Sequence, residues 1–171
     1  MRLFRPSAPR KEPIAIARLR AFPLFAHVSD GDLRAVADAA LLVTQPAGWT
    51  IVHAHTPADA GYLLVSGTCW VMKGKQPVAQ LDPGDVFGAS VLLRGELREA
   101  TVCSLSRLEL LRMDKDDFIA LLDRRPALTH ALSVARQRER ALYTGVPREV
   151  VDSMRTTAPA GAASKPAIAT A

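Results

Sequence analysis

Between Leu41 and Arg112 short apolar runs alternate with turn residues, whereas on either side the apolar spacing lengthens to the three-and-four rhythm of amphipathic helices. The β-rich runs fall at 41–45, 50–53, 61–66, 68–73, 78–81, 100–104 and 108–112, with turns at 46–48, Gly67, Gly74 and 82–84 between them. Many short strands with such punctuation predict a sandwich or roll. Ahead of them, 14–22 suits a short helix, and Ser29 is an N-cap for a second with Leu33, Val36, Ala37 and Ala40 inside. Behind them, Asp114 caps a helix over 115–122, and Pro126 sits in the first turn of a longer helix reaching about Tyr143. The apolar face of that last helix is Leu128, Leu132, Ala135 and Leu142, with Glu139 falling where a seam residue would be wanted. Its spacing admits a homodimer seam, but packing on the chain's own core is the expectation.

The ends of the chain carry no such rhythm. Residues 1–13 hold three prolines and several basic side chains, which predicts a flexible basic arm. Residues 156–171 are small, proline-spaced and nearly uncharged, which predicts a disordered tail. The folded domain is expected over 14–143, with room for one short helical extension over 144–155.

A chain of 171 residues, 49% of them hydrophobic, can bury the core of one domain and not of two. It has no apolar run of membrane-spanning length and no apolar leader, so a cytoplasmic protein is expected. Cys69 and Cys103 are isolated on strand patterns and read as reduced, buried thiols. The net charge of +5 comes partly from Arg2, Arg5, Arg10, Lys11, Arg18 and Arg20, with Arg136, Arg138 and Arg140 near the other end. Prolines and acidic neighbours such as Glu12 and Glu139 interrupt both groups, so a solvated surface accounts for them better than a nucleic-acid partner.

Candidate chemistry concentrates in residues 83–102, P-G-D-V-F-G-A-S-V-L-L-R-G-E-L-R-E-A-T-V. Gly88 would open a single helical turn whose N–H groups meet an anion, and Arg98 would close over its far side with a bidentate fork. This stretch resembles the phosphate-binding cassette of the cyclic-nucleotide-binding domain family, found in catabolite-activator-like regulators and kinase regulatory subunits. Further segments resemble the family in the same order: P-L-F-A-H-V-S-D-G-D-L, P-A-G-W-T-I-V, G-Y-L-L-V-S-G and L-E-L-L-R-M-D-K-D-D-F.

The resemblance implies a mainly β fold, an eight-stranded jelly-roll-like β-roll with helices at both ends. It implies a cyclic-nucleotide ligand, cyclic AMP first and cyclic GMP as the alternative. The implied contacts are Phe87, Gly88, Ala89, Ser90, Val91, Leu92, Arg98, Glu99, Ala100 and Thr101, with the phosphate on the Gly88 to Leu92 cradle and on Arg98. Signal would pass to a protein effector by movement of the helices after Asp114. Transcriptional relatives carry a helix-turn-helix after the long helix, and the short extension here leads us to expect no DNA-reading domain.

Four positions depart from the family pattern. Ala89 stands where a glutamate ordinarily accepts the ribose 2′-hydroxyl, Val91 replaces an alanine, and Leu97 replaces a proline. Glu99 follows Arg98 where a small or hydroxylated residue is usual, and its charge would either repel a phosphate or pair with Arg98. These departures support a second reading, a degenerate domain that acts as a protein-interaction module.

A third reading is a metal-dependent cupin-type enzyme, since His53-x-His55 could place two imidazoles on one strand face with Asp59 nearby. Phe87 falls near the place of the further histidine such a site wants, and the family register sets His55 at a turn where glycine is usual, so no metal site is expected. No catalytic motif emerges, and Asp114, Asp116 and Asp117 read as helix-start electrostatics. Trp49, Tyr62 and Trp70 are expected to fill core; Tyr143 is the weak candidate for stacking on a purine.

Overall fold

The computed structural model describes residues 14–154, so the expectations for the basic arm and for the tail lie outside the described residues. Helix α1 (Ile16–Arg20), a 3-10 turn (Pro23–Phe25) and α2 (Asp30–Ala39) precede the strands. These are β1 (Leu41–Gln45), β2 (Thr50–Val52), β3 (Ala60–Ser66), β4 (Cys69–Lys73), β5 (Gln76–Leu81) and β6 (Val86–Phe87), then, after helix α3 (Ala89–Arg94), β7 (Thr101–Ser104) and β8 (Leu108–Asp114). Helices α4 (Lys115–Arg124), α5 (Leu128–Tyr143) and α6 (Arg148–Ser153) follow.

All strand pairs are antiparallel, in two four-stranded sheets ordered β1-β8-β3-β6 and β2-β7-β4-β5. The fold is therefore the expected mainly β roll with helices at both ends. Strands β3 and β8 explain why. Along β3, Leu63 and Val65 pack on the helices while Leu64 points into the roll; along β8, Leu111 and Met113 face the helices while Leu108 and Leu110 face inward. Alternate side chains of an extended strand project to opposite faces, so a sheet covered on both sides buries nearly every position.

Local departures from the sequence expectations have local causes. Helix α1 stops at Arg20, because Pro23 forces Phe22 into an extended conformation (φ −85°, ψ 130°). Ser29 does cap α2, its hydroxyl oxygen accepting the Asp32 N–H at 3.1 Å. Asp114 occupies the N-cap position of α4 but makes no side-chain cap bond, because its carboxylate is engaged by Arg112. Pro126 lies in a turn two residues ahead of α5, with its carbonyl accepting from Thr129 at 3.0 Å. Trp49, expected in the core, is 59% exposed because it stands in the turn between β1 and β2.

Both cysteines are free thiols. Cys69 is fully buried and Cys103 partly so. Burial, with Cys103 adding to it, pushes the Cys69 thiol up to about 12. Among the described residues no helix is long and apolar enough to cross a membrane.

Candidate anion-binding cradle

Strand β6 ends at Phe87, which is buried inside the roll and stacked on Tyr62 with ring centroids 5.1 Å apart. The chain then turns at Gly88 in the left-handed region (φ +77°) and enters α3. Glycine is required there twice over. L side chains avoid that conformation, and a Cβ would overlap the Arg98 guanidinium and press on the Ala60 carbonyl oxygen at 3.3 Å. The turn aims the N–H groups of Gly88 and Ser90 at a common point.

An oxyanion already sits at that point, and the protein supplies it. Glu139 of α5 reaches into the turn: Gly88 N–H donates to Oε1 at 2.6 Å, while Ser90 N–H and the Ser90 hydroxyl donate to Oε2 at 3.2 and 2.6 Å. Glu139 is only 4% exposed. Burial raises its carboxyl above the ordinary value, a rise that Glu99 reinforces and that the donors at Ser90 and Gly88 oppose. Bonds from N–H and O–H groups to a carboxylate are the short, charge-assisted kind, which is how a buried acid is tolerated here.

Arg98 lies beneath the turn and is likewise 4% exposed. Its Nη2 donates to the Ala60 carbonyl at 2.7 Å and to Asp59 Oδ1 at 3.0 Å, and its Nη1 to the Gly88 carbonyl at 3.3 Å. The guanidinium carbon is 5.9 Å from the Tyr62 ring centre, within reach of a cation–π contact. The backbone fixes this placement, since Arg98 N–H donates to Thr56 O at 2.9 Å and Arg98 O accepts from His55 N–H at 2.8 Å. His55 stands in a left-handed turn (φ 63°), and among the described residues no three His, Cys, Asp or Glu side chains gather as a metal would need. Asp59, weighed above as a metal ligand, bridges Arg98 and Arg112 instead. Burial works against its charge, but a backbone hydrogen bond and the two arginines outweigh it and hold the carboxyl below its ordinary range.

Glu99 does not pair with Arg98, one of the two outcomes its position suggested. It points outward to Arg94 at 3.0 Å, because Arg98 is turned in toward Asp59. Of the ten residues expected at a ligand, Gly88, Ser90, Val91, Arg98, Glu99 and Ala100 line one cavity of about 170 Å3. Phe87, Ala89 and Leu92 are packed in the interior beside it, and Thr101 accepts the Ala54 N–H at 3.1 Å through its hydroxyl oxygen. Helix α5 supplies the opposite wall through Glu139, Arg140 and Tyr143.

From the sequence, Glu139 stands out as an interruption of an apolar stripe and as an acidic neighbour of Arg138 and Arg140, not as a partner of the Gly88 turn. Leu128, Ala131, Ala135, Glu139 and Leu142 are the buried positions of α5, and a single acid falling on that apolar spacing was the available signal. A second feature gave no local signal. Asp85, in the turn before β6, is buried and bonded to Arg148 at 2.6 Å, with Arg138 at 3.6 Å. Arg138 also donates to the Val151 carbonyl at 2.7 Å and pairs with Asp152 at 2.8 Å. These contacts clamp α5 and α6 to each other and to the edge of the roll.

Residues 42–125 match the family model described as cyclic nucleotide-binding domain. A cAMP-dependent protein kinase regulatory subunit of Aspergillus fumigatus is 32% identical over 123 residues, which cover 71% of this chain and 30% of that protein. This chain thus spans less than a third of the length of such relatives. Among solved structures, a putative cyclic nucleotide-binding protein from Geobacter metallireducens superposes with a TM-score of 0.66 at 21% identity, covering 77% of this chain and 98% of that one, a likeness of fold. The catabolite activator protein of Thermus thermophilus gives a TM-score of 0.62 at 26% identity, covering 76% of this chain and 63% of that one.

Proposed function

This chain belongs to the cyclic nucleotide-binding domain family, and from that premise we propose that it is a sensor module whose ligand is a cyclic nucleotide, cyclic AMP first, with conformational rather than catalytic output. The observation that carries the reading is the oxyanion held by Gly88 and Ser90. A cradle that binds a carboxylate through two N–H groups and a hydroxyl offers the same donors to a singly charged phosphodiester. Arg98, adjoining the same cavity, supplies the neutralising charge once its fork turns from exposed Asp59 toward the phosphate.

The ligand enters between the roll and α5, so binding moves α5, and the clamp through Arg138 and Arg148 carries that motion to α6. The resulting surface change is read by a protein effector. Ala89 supplies no ribose acceptor, which costs about 1.5–3 kcal/mol relative to a site with a charged partner there. Calorimetric titration with cyclic AMP and cyclic GMP tests the reading. Saturable heat in the wild type that is lost in Arg98→Ala is expected; silence of the wild type at millimolar nucleotide would end it.

One observation favours a second reading. Glu139 fills the cradle and Arg98 is satisfied by Asp59, the arrangement of a domain that has turned its pocket into a structural joint and serves as a protein-interaction module. Silence in the titration is the result this reading expects.

A further inference from the structure

We propose that Glu139 is a built-in competitor for the anion seat, so that α5 is a self-docked lid and an incoming phosphate must displace a carboxylate of the same chain. The inference rests on the reading of the cradle as the phosphate seat. The two N–H groups and the hydroxyl that a phosphate would use all point to Glu139, and both its oxygens are engaged. Two anions cannot share that turn, since like charges a few ångströms apart in a buried site repel strongly.

The contact is also built to be reversible. A buried carboxylate gives up much of its hydration to sit there, so its departure into water recovers hydration as the ligand takes over the donors. The lid has a second anchor at buried Asp85, which Arg148 and Arg138 hold from α6 and α5. Release of Glu139 therefore loosens one polar attachment and leaves the Asp85 clamp and the apolar face of α5 to return the helix.

The arithmetic of a seated competitor is simple. If Glu139 occupies the cradle in more than about nine molecules in ten, apparent ligand affinity is lowered about tenfold or more. The test uses the whole 171-residue chain, with cyclic AMP as probe and inorganic phosphate as the non-nucleotide arm. Glu139→Ala is expected to bind cyclic AMP at least about tenfold tighter than wild type. Amide hydrogen exchange at Gly88 and Ser90 should quicken in the variant and slow again on addition of either anion.

Quickened exchange, with neither protein taking up nucleotide, would retain the lid and overturn the cyclic-nucleotide reading. Equal affinity and equal exchange in the two proteins would overturn the lid and leave that reading standing. Should circular dichroism show Glu139→Ala unfolded, Glu139→Gln carries the comparison. Its amide keeps one acceptor oxygen but sets an NH2 group against the donor or donors at the other position, so a smaller gain in affinity is expected and none would overturn the proposal.

Discussion

Ser90 and Glu139, 49 residues apart in sequence, meet through two hydrogen bonds, the Ser90 hydroxyl at 2.6 Å and its N–H at 3.2 Å from the same carboxylate oxygen. The contact joins the Gly88 turn to the last long helix, the two parts whose relative position would have to change in the sensor proposed above. Four consequences can be measured besides those above.

The stability of the fold should depend on pH through Glu139. Its folded value is raised above the ordinary 4.5, so its contribution is fully present below that value and is lost as pH rises through the folded one. Glu139→Gln removes this dependence. The melting temperature of the variant minus that of wild type should therefore climb as pH rises above the ordinary 4.5, and a flat difference would contradict the assigned burial of charge.

Arg98→Ala should weaken the fold as well as ligand binding. The carbonyls of Ala60 and Gly88 lose their guanidinium donor in a buried place, and an unsatisfied buried acceptor costs about 1–3 kcal/mol. Urea unfolding should show a loss of at least about 2 kcal/mol. Arg98→Lys should recover little of it, because one ammonium cannot reproduce the fork that serves Ala60, Gly88 and Asp59 together.

Gly88→Ala combines a left-handed backbone with a Cβ driven into Arg98 and the Ala60 carbonyl. The backbone alone costs about 1–2 kcal/mol, and relief of the overlap must shift Arg98 from its bonds. The variant should lose more stability than Gly95→Ala, where φ is also positive at 68° but the space at the Cβ is open. Equal losses by chemical denaturation would show that the close approach at Gly88 is unimportant.

The two thiols should differ in reactivity. Cys69 is held protonated up to about 12 and lies fully buried, whereas Cys103 is partly exposed. At about pH 8 a thiol reagent should modify one cysteine of the native protein readily and the second only after denaturation, since the thiolate is the reactive form. Peptide mapping should place the first label on Cys103.

Much of the fold was legible because two-faced strands and amphipathic helices write their periods into the sequence. Strands β1 through β5, β7 and β8 fell close to their expected places, and Ser29 announced α2. Strand β6 did not announce itself, since two residues, Val86 and Phe87, are too few to show a period. Trp49 misled because an aromatic beside a strand reads as core even when the turn carries it outward. At the site, Gly88 and Arg98 were legible from spacing and resemblance. The partners that decide their present state, Glu139 and Asp59, were not, because nothing local in a helix or a loop specifies which turn its carboxylate will meet.

The most direct test of the central claim is the pair of backbone amide signals from Gly88 and Ser90, followed by nuclear magnetic resonance while cyclic AMP is added to the isotope-labelled chain. The account predicts that both signals move along a saturable curve, together with those of α5 around Glu139 as its carboxylate leaves the turn. Signals of both amides that stay fixed at millimolar nucleotide would contradict it.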